Sequence, residues 1–207
     1  IDIGGESTRP FADPVSEDEE LARVVPVIEG LRSKSDVLIS VDTTKANVAL
    51  EGVRAGADII NDVSGLEADA KMVAAAANTG AGLVVMHRRS APKTMQVGDL
   101  SAQDIVGDIS DYLVGRADSL MANGVRKDAI CLDPGIGFGK TVQQNLRLIG
   151  ELHRFVDLGF PVLMGPSRKS FLGAVTGKDV GDRLGATAAA CTMCALGGAH
   201  VLRVHDV

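Results

Sequence analysis

Val37-Leu38-Ile39-Ser40-Val41-Asp42-Thr43-Thr44-Lys45 is an apolar run that ends in an acid and two hydroxyls and passes straight into a helical pattern over 45–55. An uninterrupted apolar run of this length suits a strand buried on both faces, the kind found in parallel sheets with helical crossovers. The same unit recurs on either side. Upstream, 1–4 leads into Glu6-Ser7-Thr8-Arg9. Downstream, 59–61 ends in Asn61-Asp62, 83–87 in His87 and 129–133 in Asp133. The run 161–164 leads to Ser167-Arg168-Lys169, and 201–204 carries Arg203 with His205 close behind. Helical patterns fill the intervals at 16–32, 68–78, 102–123, 142–157 and 181–196. The first opens on an S-x-x-E capping box, Ser16 to Glu19, and Pro26 is expected to interrupt and kink it.

A steady β-then-α rhythm implies parallel strands. It leaves an open doubly wound sheet or a closed barrel. In a barrel the carboxyl ends of all strands converge on one mouth, where barrel enzymes build their sites; in an open sheet only the switch-point strands share a pocket. Polar groups at strand end after strand end favour the (β/α)8 TIM barrel. Such a barrel takes about 250 residues, and the chain has 207. It begins inside a strand and stops just after one. The expectation is a single domain over 1–207 that lacks the first strand and the last helix. With two open edges, the chain as written is expected to be inactive or poorly stable beside a version extended at both ends.

Composition excludes several classes. The net charge of −6 disfavours nucleic acid and anionic membrane as partners. No run approaches the roughly 18 apolar residues of a membrane span. The three cysteines, an odd and low count, suit a reducing cytoplasm better than a disulfide framework. Cys191 and Cys194 form a C-x-x-C, read as two small residues packed in the alanine-rich stretch 185–198.

Six further stretches carry chemistry: Asp2-Ile3-Gly4-Gly5-Glu6-Ser7-Thr8-Arg9-Pro10; Ser40-Val41-Asp42-Thr43; Ile60-Asn61-Asp62-Val63-Ser64-Gly65; Asp133-Pro134-Gly135-Ile136-Gly137-Phe138-Gly139-Lys140-Thr141; Ser167-Arg168-Lys169-Ser170-Phe171; and Arg203-Val204-His205-Asp206-Val207. In order and from end to end, they resemble the dihydropteroate synthases. The resemblance implies a transferase that condenses 6-hydroxymethyl-7,8-dihydropterin pyrophosphate with p-aminobenzoate, giving 7,8-dihydropteroate and pyrophosphate in folate synthesis. It implies pterin contacts from Asp42, Asn61, Asp133 and Lys169. It implies p-aminobenzoate contacts from Thr8, Arg9, Pro10, Phe138 and Ser170, and pyrophosphate contacts from Arg203 and His205. Asp42, Lys169, Arg203 and His205 are the residues it marks as catalytic.

Chemistry agrees. A carboxylate accepts two adjacent N–H donors side by side, which is what a 2-amino-4-oxopyrimidine edge offers. A guanidinium forks onto pyrophosphate oxygens. Residues i and i+2 of a strand share a face, so Arg203 and His205 can point the same way if the strand continues. Mg²⁺ on the pyrophosphate is implied, but the family's Asn ligand lies in a first loop absent here, so no metal ligand is expected in this chain. A homodimer in the cytoplasm is implied as well. Arg168 is left open between site duty and a structural salt bridge, and His87 between a strand-end histidine and a supporting position.

The match departs at Phe11, where the family has Gly, and at Gln144, where it often has His. Three rivals remain. A methyltetrahydrofolate:corrinoid methyltransferase shares pterin recognition but does not need the S-T-R-P and S-R-K-S segments. A degenerate, non-catalytic barrel would be expected to lose Asp42, Asn61, Asp133, Lys169 or Arg203. A P-loop would need Gly where Pro134 stands.

Overall fold

A computed structural model describes residues 1–8, 12–89 and 104–207. Arg9, Pro10 and Phe11, singled out above, lie outside the described residues. Every expected strand is present, most of them shortened: β1 (Asp2–Gly4), β2 (Ser40–Asp42), β3 (Ile59–Asp62), β4 (Gly82–Met86), β5 (Ile130–Asp133), β6 (Leu163–Met164) and β7 (Val201–Leu202). The helices are α1 (Glu17–Arg32), α2 (Ala46–Arg54), α3 (Met72–Thr79), α4 (Ile105–Ala122), α5 (Val142–Gly150), α6 (His153–Val156), α7 (Ser170–Thr176) and α8 (Leu184–Leu196). Strand order is β1-β2-β3-β4-β5 in one sheet and β6-β7 in a second. The pairings β1–β2, β2–β3, β3–β4 and β6–β7 are all parallel. No helix among the described residues is long and apolar enough to cross a membrane.

The chain divides into two compact units. The first comprises Ile1–Met86 and Gly115–Cys131. Its core is Val24 and Ile28 of α1, Val41 of β2, Ile60 of β3, Met72 of α3 and Leu83 of β4, each at most 1% exposed. The strand β2 is shorter than its apolar run because side chains satisfy the backbone before it. Arg32 Nη1 donates to the Val37 carbonyl at 3.0 Å, and the Ile39 N–H donates to Asp58 Oδ2 at 2.9 Å. The expected break at Pro26 does not occur, and α1 runs through it. Pro26 removes only the N–H that would reach the Ala22 carbonyl. Ala22 and Pro26 both lie on the exposed face, while Glu20, Val24 and Ile28 keep the opposite face buried.

Expected as starting near residue 68, α3 begins at Met72 because Asp69 is otherwise engaged. Its carboxylate accepts the Ala46 N–H and the Lys71 N–H, both at 2.9 Å. The first of these serves an orphan donor at the start of α2, where Lys45 makes no side-chain cap.

The second unit comprises His87–Val114 and Leu132–Val207. Leu132, Leu148, Leu152, Phe155, Val162 and Met164 are each 0% exposed and form its core. Leu132 of β5 bridges in parallel to Val162 just before β6. The helix expected over 142–157 is two helices, α5 and α6, with the break at 151–152. Gly197, just past α8, packs so close that a Cβ there would lie 3.2 Å from Leu152 Cβ. Gln144, one of the two departures from the family pattern, closes a capping box. Its amide oxygen accepts the Thr141 N–H at 2.9 Å, and Thr141 Oγ1 accepts the Gln144 N–H at 3.2 Å. Helix α7 was not anticipated; its sequence signal is Gly177, which ends it at φ 71°.

Candidate active site

In the first unit, β2 and β3 place Asp42 opposite Asn61 in register. Both are buried, at 8% and 6% exposure. Gly4 of β1 is the register partner of Asp42 on the other side, and a Cβ on Gly4 would sit 3.2 Å from Asp42 Cβ. Glycine at that point therefore leaves room for the carboxylate. Asn61 Nδ2 donates to both oxygens of Asp2 at 3.3 Å, which fixes which way its amide points.

The loop after β1 is anchored from below. Glu6 Oε2 accepts the Val15 N–H at 2.8 Å and Lys45 Nζ at 2.7 Å. Lys45 also donates to Glu20, which is 0% exposed. Burial opposes the charge on Glu6, but Lys45 and the Val15 N–H outweigh it and hold the carboxyl below its usual range. Burial likewise opposes the Lys45 charge, and the two glutamates outweigh it and raise the ammonium above its usual value. One carboxylate thus ties residue 6 to residue 15, and Thr8 sits half-buried between them.

In the second unit, Asp133 ends β5 at 8% exposure and accepts the Gly135 N–H at 2.7 Å through Oδ1. Burial raises this carboxyl above the ordinary range, against the pull of the Gly135 N–H and of the Lys169, Lys140 and Arg203 charges. The Lys169 ammonium lies 4.0 Å from the centre of the Phe138 ring, a cation–π contact. Gly137, at φ 81°, permits this, since a Cβ there would come within 3.0 Å of Lys169 Cδ. Ser170 is exposed as the first residue of α7.

Strand β7 stops at Leu202, so strand geometry does not carry Arg203 and His205 to a common face as expected. The Arg203 N–H still pairs with the Met164 carbonyl at 3.0 Å. His205 is placed instead by the buried Ser167, whose Oγ lies 3.0 Å from His205 Nδ1 and accepts the His205 N–H at 3.2 Å. Burial, and then Arg168 and Arg203, hold His205 below its usual value. Arg168 makes a two-point ion pair with Asp206, the structural role left open for it above. The Arg168 backbone sits in the left-handed region at φ 57°.

Lys140 is the residue that sequence reading passed over. It is 5% exposed, and burial pushes its ammonium down to about 7. His87 lies against it, its ring nitrogen 3.2 Å from Lys140 Nζ. Burial and then the Lys140 charge push His87 down to about 3, so the imidazole is neutral at pH 7. The only sequence signal for Lys140 is a cation inside a glycine-rich apolar loop. For Glu20 the signal was its phase with Val24 and Ile28, four and eight residues on. Cys194 is buried and its thiol is pushed up to about 12, as expected of a packed and unreactive cysteine.

The first unit thus holds a buried Asp–Asn pair across two parallel strands, and the second a buried Asp under the influence of Lys and Arg charges. The family described as pterin binding enzyme matches residues 1–205. The chain is 45% identical over 209 residues to dihydropteroate synthase of Synechocystis sp., covering all of this chain and 72% of that one. The Yersinia pestis dihydropteroate synthase solved with a sulfonamide drug matches with TM-score 0.97 and 42% identity, over 100% of this chain and 74% of that one. The Xanthomonas albilineans enzyme solved with 4-aminobenzoic acid matches with TM-score 0.93 and 40% identity, over 100% and 73%. The chain belongs to the dihydropteroate synthase family: a transferase of the (β/α)8 fold class that joins 6-hydroxymethyl-7,8-dihydropterin pyrophosphate to p-aminobenzoate in folate synthesis.

Proposed function

We propose that the strand-end side chains described above divide this reaction among them. The observation that carries the reading is Asp133, a carboxylate buried at the end of β5 under the influence of Lys169 and Arg203. Asp133 takes the paired N–H donors of the pterin rim, and Lys169 donates to the same heterocycle. Asp42 and Asn61 supply further pterin contacts. Phe138, Ser170 and Thr8, together with Arg9 and Pro10 outside the described residues, serve p-aminobenzoate. Arg203 and His205 take the pyrophosphate.

The chemistry is displacement at the pterin methylene carbon. Its C–O bond breaks, and the electron pair leaves with pyrophosphate. The arylamine nitrogen forms the new C–N bond and then loses a proton to water. No covalent nucleophile from the protein is needed. Arg203 and His205 offset charge on the departing oxygens, and the remaining residues hold the two substrates in line. Mg²⁺ would travel with the pyrophosphate. Among the described residues no group of three His, Cys, Asp or Glu is placed to hold an ion. A single domain, a homodimer and a cytoplasmic location complete the proposal.

Arg203→Met tests it. Pyrophosphate affinity, measured by displacement, should fall at least about tenfold through loss of a charge-assisted fork, with binding of the pyrophosphate-free pterin unaltered. Equal pyrophosphate affinity in both proteins removes Arg203 from the site.

A further inference from the structure

No step above uses Lys140, although a buried cation is costly and needs a reason. Its Nζ lies 2.7 Å from the Gly135 carbonyl oxygen, 3.1 Å from that of Phe138 and 3.4 Å from that of His87. The fourth neighbour is His87 Nδ1 at 3.2 Å. All four are acceptors once His87 is neutral with its proton on Nε2, and an ammonium has only donors to offer. A single cation therefore joins the residue after β4 to two carbonyls of the loop after β5.

The loop has no slack at these points. Gly135 is held on both sides, its N–H by Asp133 Oδ1 at 2.7 Å and its carbonyl by Lys140 at 2.7 Å. It has φ 70°, and a Cβ on it would overlap the His87 carbonyl. The second tethered carbonyl belongs to Phe138, whose ring stacks under Lys169. From α5, Asn145 Oδ1 accepts the Gly137 N–H at 2.7 Å. Meanwhile the His87 N–H donates to the Asp133 carbonyl at 2.9 Å.

We propose that Lys140 is a positioning residue for the reaction: its ammonium staples the 134–139 loop to His87 and so sets where Asp133 and Phe138 meet their substrates. The proposal rests on the reading of Asp133 and Phe138 as pterin and p-aminobenzoate contacts. A hydrophobic side chain would fill the same volume without the burial cost, so what the ammonium adds is geometry.

The test uses Lys140→Met, Asp133→Asn and the double variant. Each is titrated with 6-hydroxymethylpterin pyrophosphate by calorimetry, and its melting temperature is recorded alongside. Lys140→Met should weaken pterin binding by about tenfold and raise the KM for p-aminobenzoate, because charged hydrogen bonds to two loop carbonyls are lost. The double variant should lose less than the product of the two single losses, since Lys140 acts through the place of Asp133. A Met variant that melts earlier but binds as the parent does overturns the proposal, and so does strict additivity. If the Met variant does not fold, Lys140→Gln, which keeps a neutral NH₂ with two N–H donors, is put through the same comparison. If Asp133→Asn alone leaves affinity unchanged, the reading of Asp133 falls and the staple with it. If Asp133→Asn weakens binding and the Lys140 variants do not, the staple alone falls.

Discussion

Asp133→Asn is the substitution that separates binding from folding most cleanly. Asparagine has the same shape and keeps one oxygen for the Gly135 N–H, which Asp133 Oδ1 accepts at 2.7 Å. What changes is the outer edge: a second acceptor becomes an NH₂ that faces the pterin's own donors. Losing one charge-assisted hydrogen bond costs about 1.5–3 kcal/mol. At 1.4 kcal/mol per decade, pterin affinity should fall by about tenfold to about 150-fold. Stability should move the other way. Burial raises the native Asp133 carboxyl above its ordinary 3.8. A carboxyl with a raised native value is tolerated best below that ordinary value, and its ionisation reduces stability as pH climbs past it. At neutral pH the neutral isostere removes that burden, so the variant should melt at or above the parent's temperature. Calorimetric titration with 6-hydroxymethylpterin pyrophosphate reads the first effect and a thermal melt the second. Unchanged affinity refutes the pterin role. Lost affinity together with a much lower melting temperature shows that Asp133 serves the fold instead.

Phe155→Ala should destabilise the protein by about 3–5 kcal/mol in urea unfolding, because Phe155 is 0% exposed in the core of the second unit. Gly135→Ala should cost more than about 1 kcal/mol by the same measurement, since φ is 70° and the added Cβ overlaps the His87 carbonyl. Lys45→Met should cost about 3 kcal/mol by stranding a buried carboxylate, Glu20 being 0% exposed. The same variant should change the acid limb of stability. The native Glu6 value lies below its ordinary 4.5, so its contribution is complete above 4.5 and is lost as pH falls through the native value. Denaturant midpoints taken across that window should fall for the parent and lie flatter for Lys45→Met. Parallel curves would show that Lys45 does not hold Glu6.

Much of this protein is legible from its residues in order. Buried parallel strands are written as unbroken apolar runs, so 37–42, 59–61 and 129–133 name their own strands, and the polar residue closing each run names a candidate site position. Caps are equally local: Ser16 accepts the Glu19 N–H as its spacing implied. Family order is what lets Asp42, Asn61, Asp133, Lys169 and Arg203 be proposed as substrate contacts rather than isolated polar residues.

Other features were set by contacts between residues far apart in the chain. Asp69 delays α3 because its carboxylate serves Ala46, 23 residues away. His205 owes its place to Ser167, 38 residues earlier, because β7 ends too soon to carry it. Lys140 is set apart by His87, 53 residues before it, which supplies two of its four neighbours. The sequence by itself determined the strands, the caps and the residue types available for chemistry, because periodicity and turn preference act within a few residues. Only the tertiary structure decided which cation is buried, which carboxylate is held charged and which carbonyl is gripped, because burial and long-range hydrogen bonds exist only once distant segments are packed together.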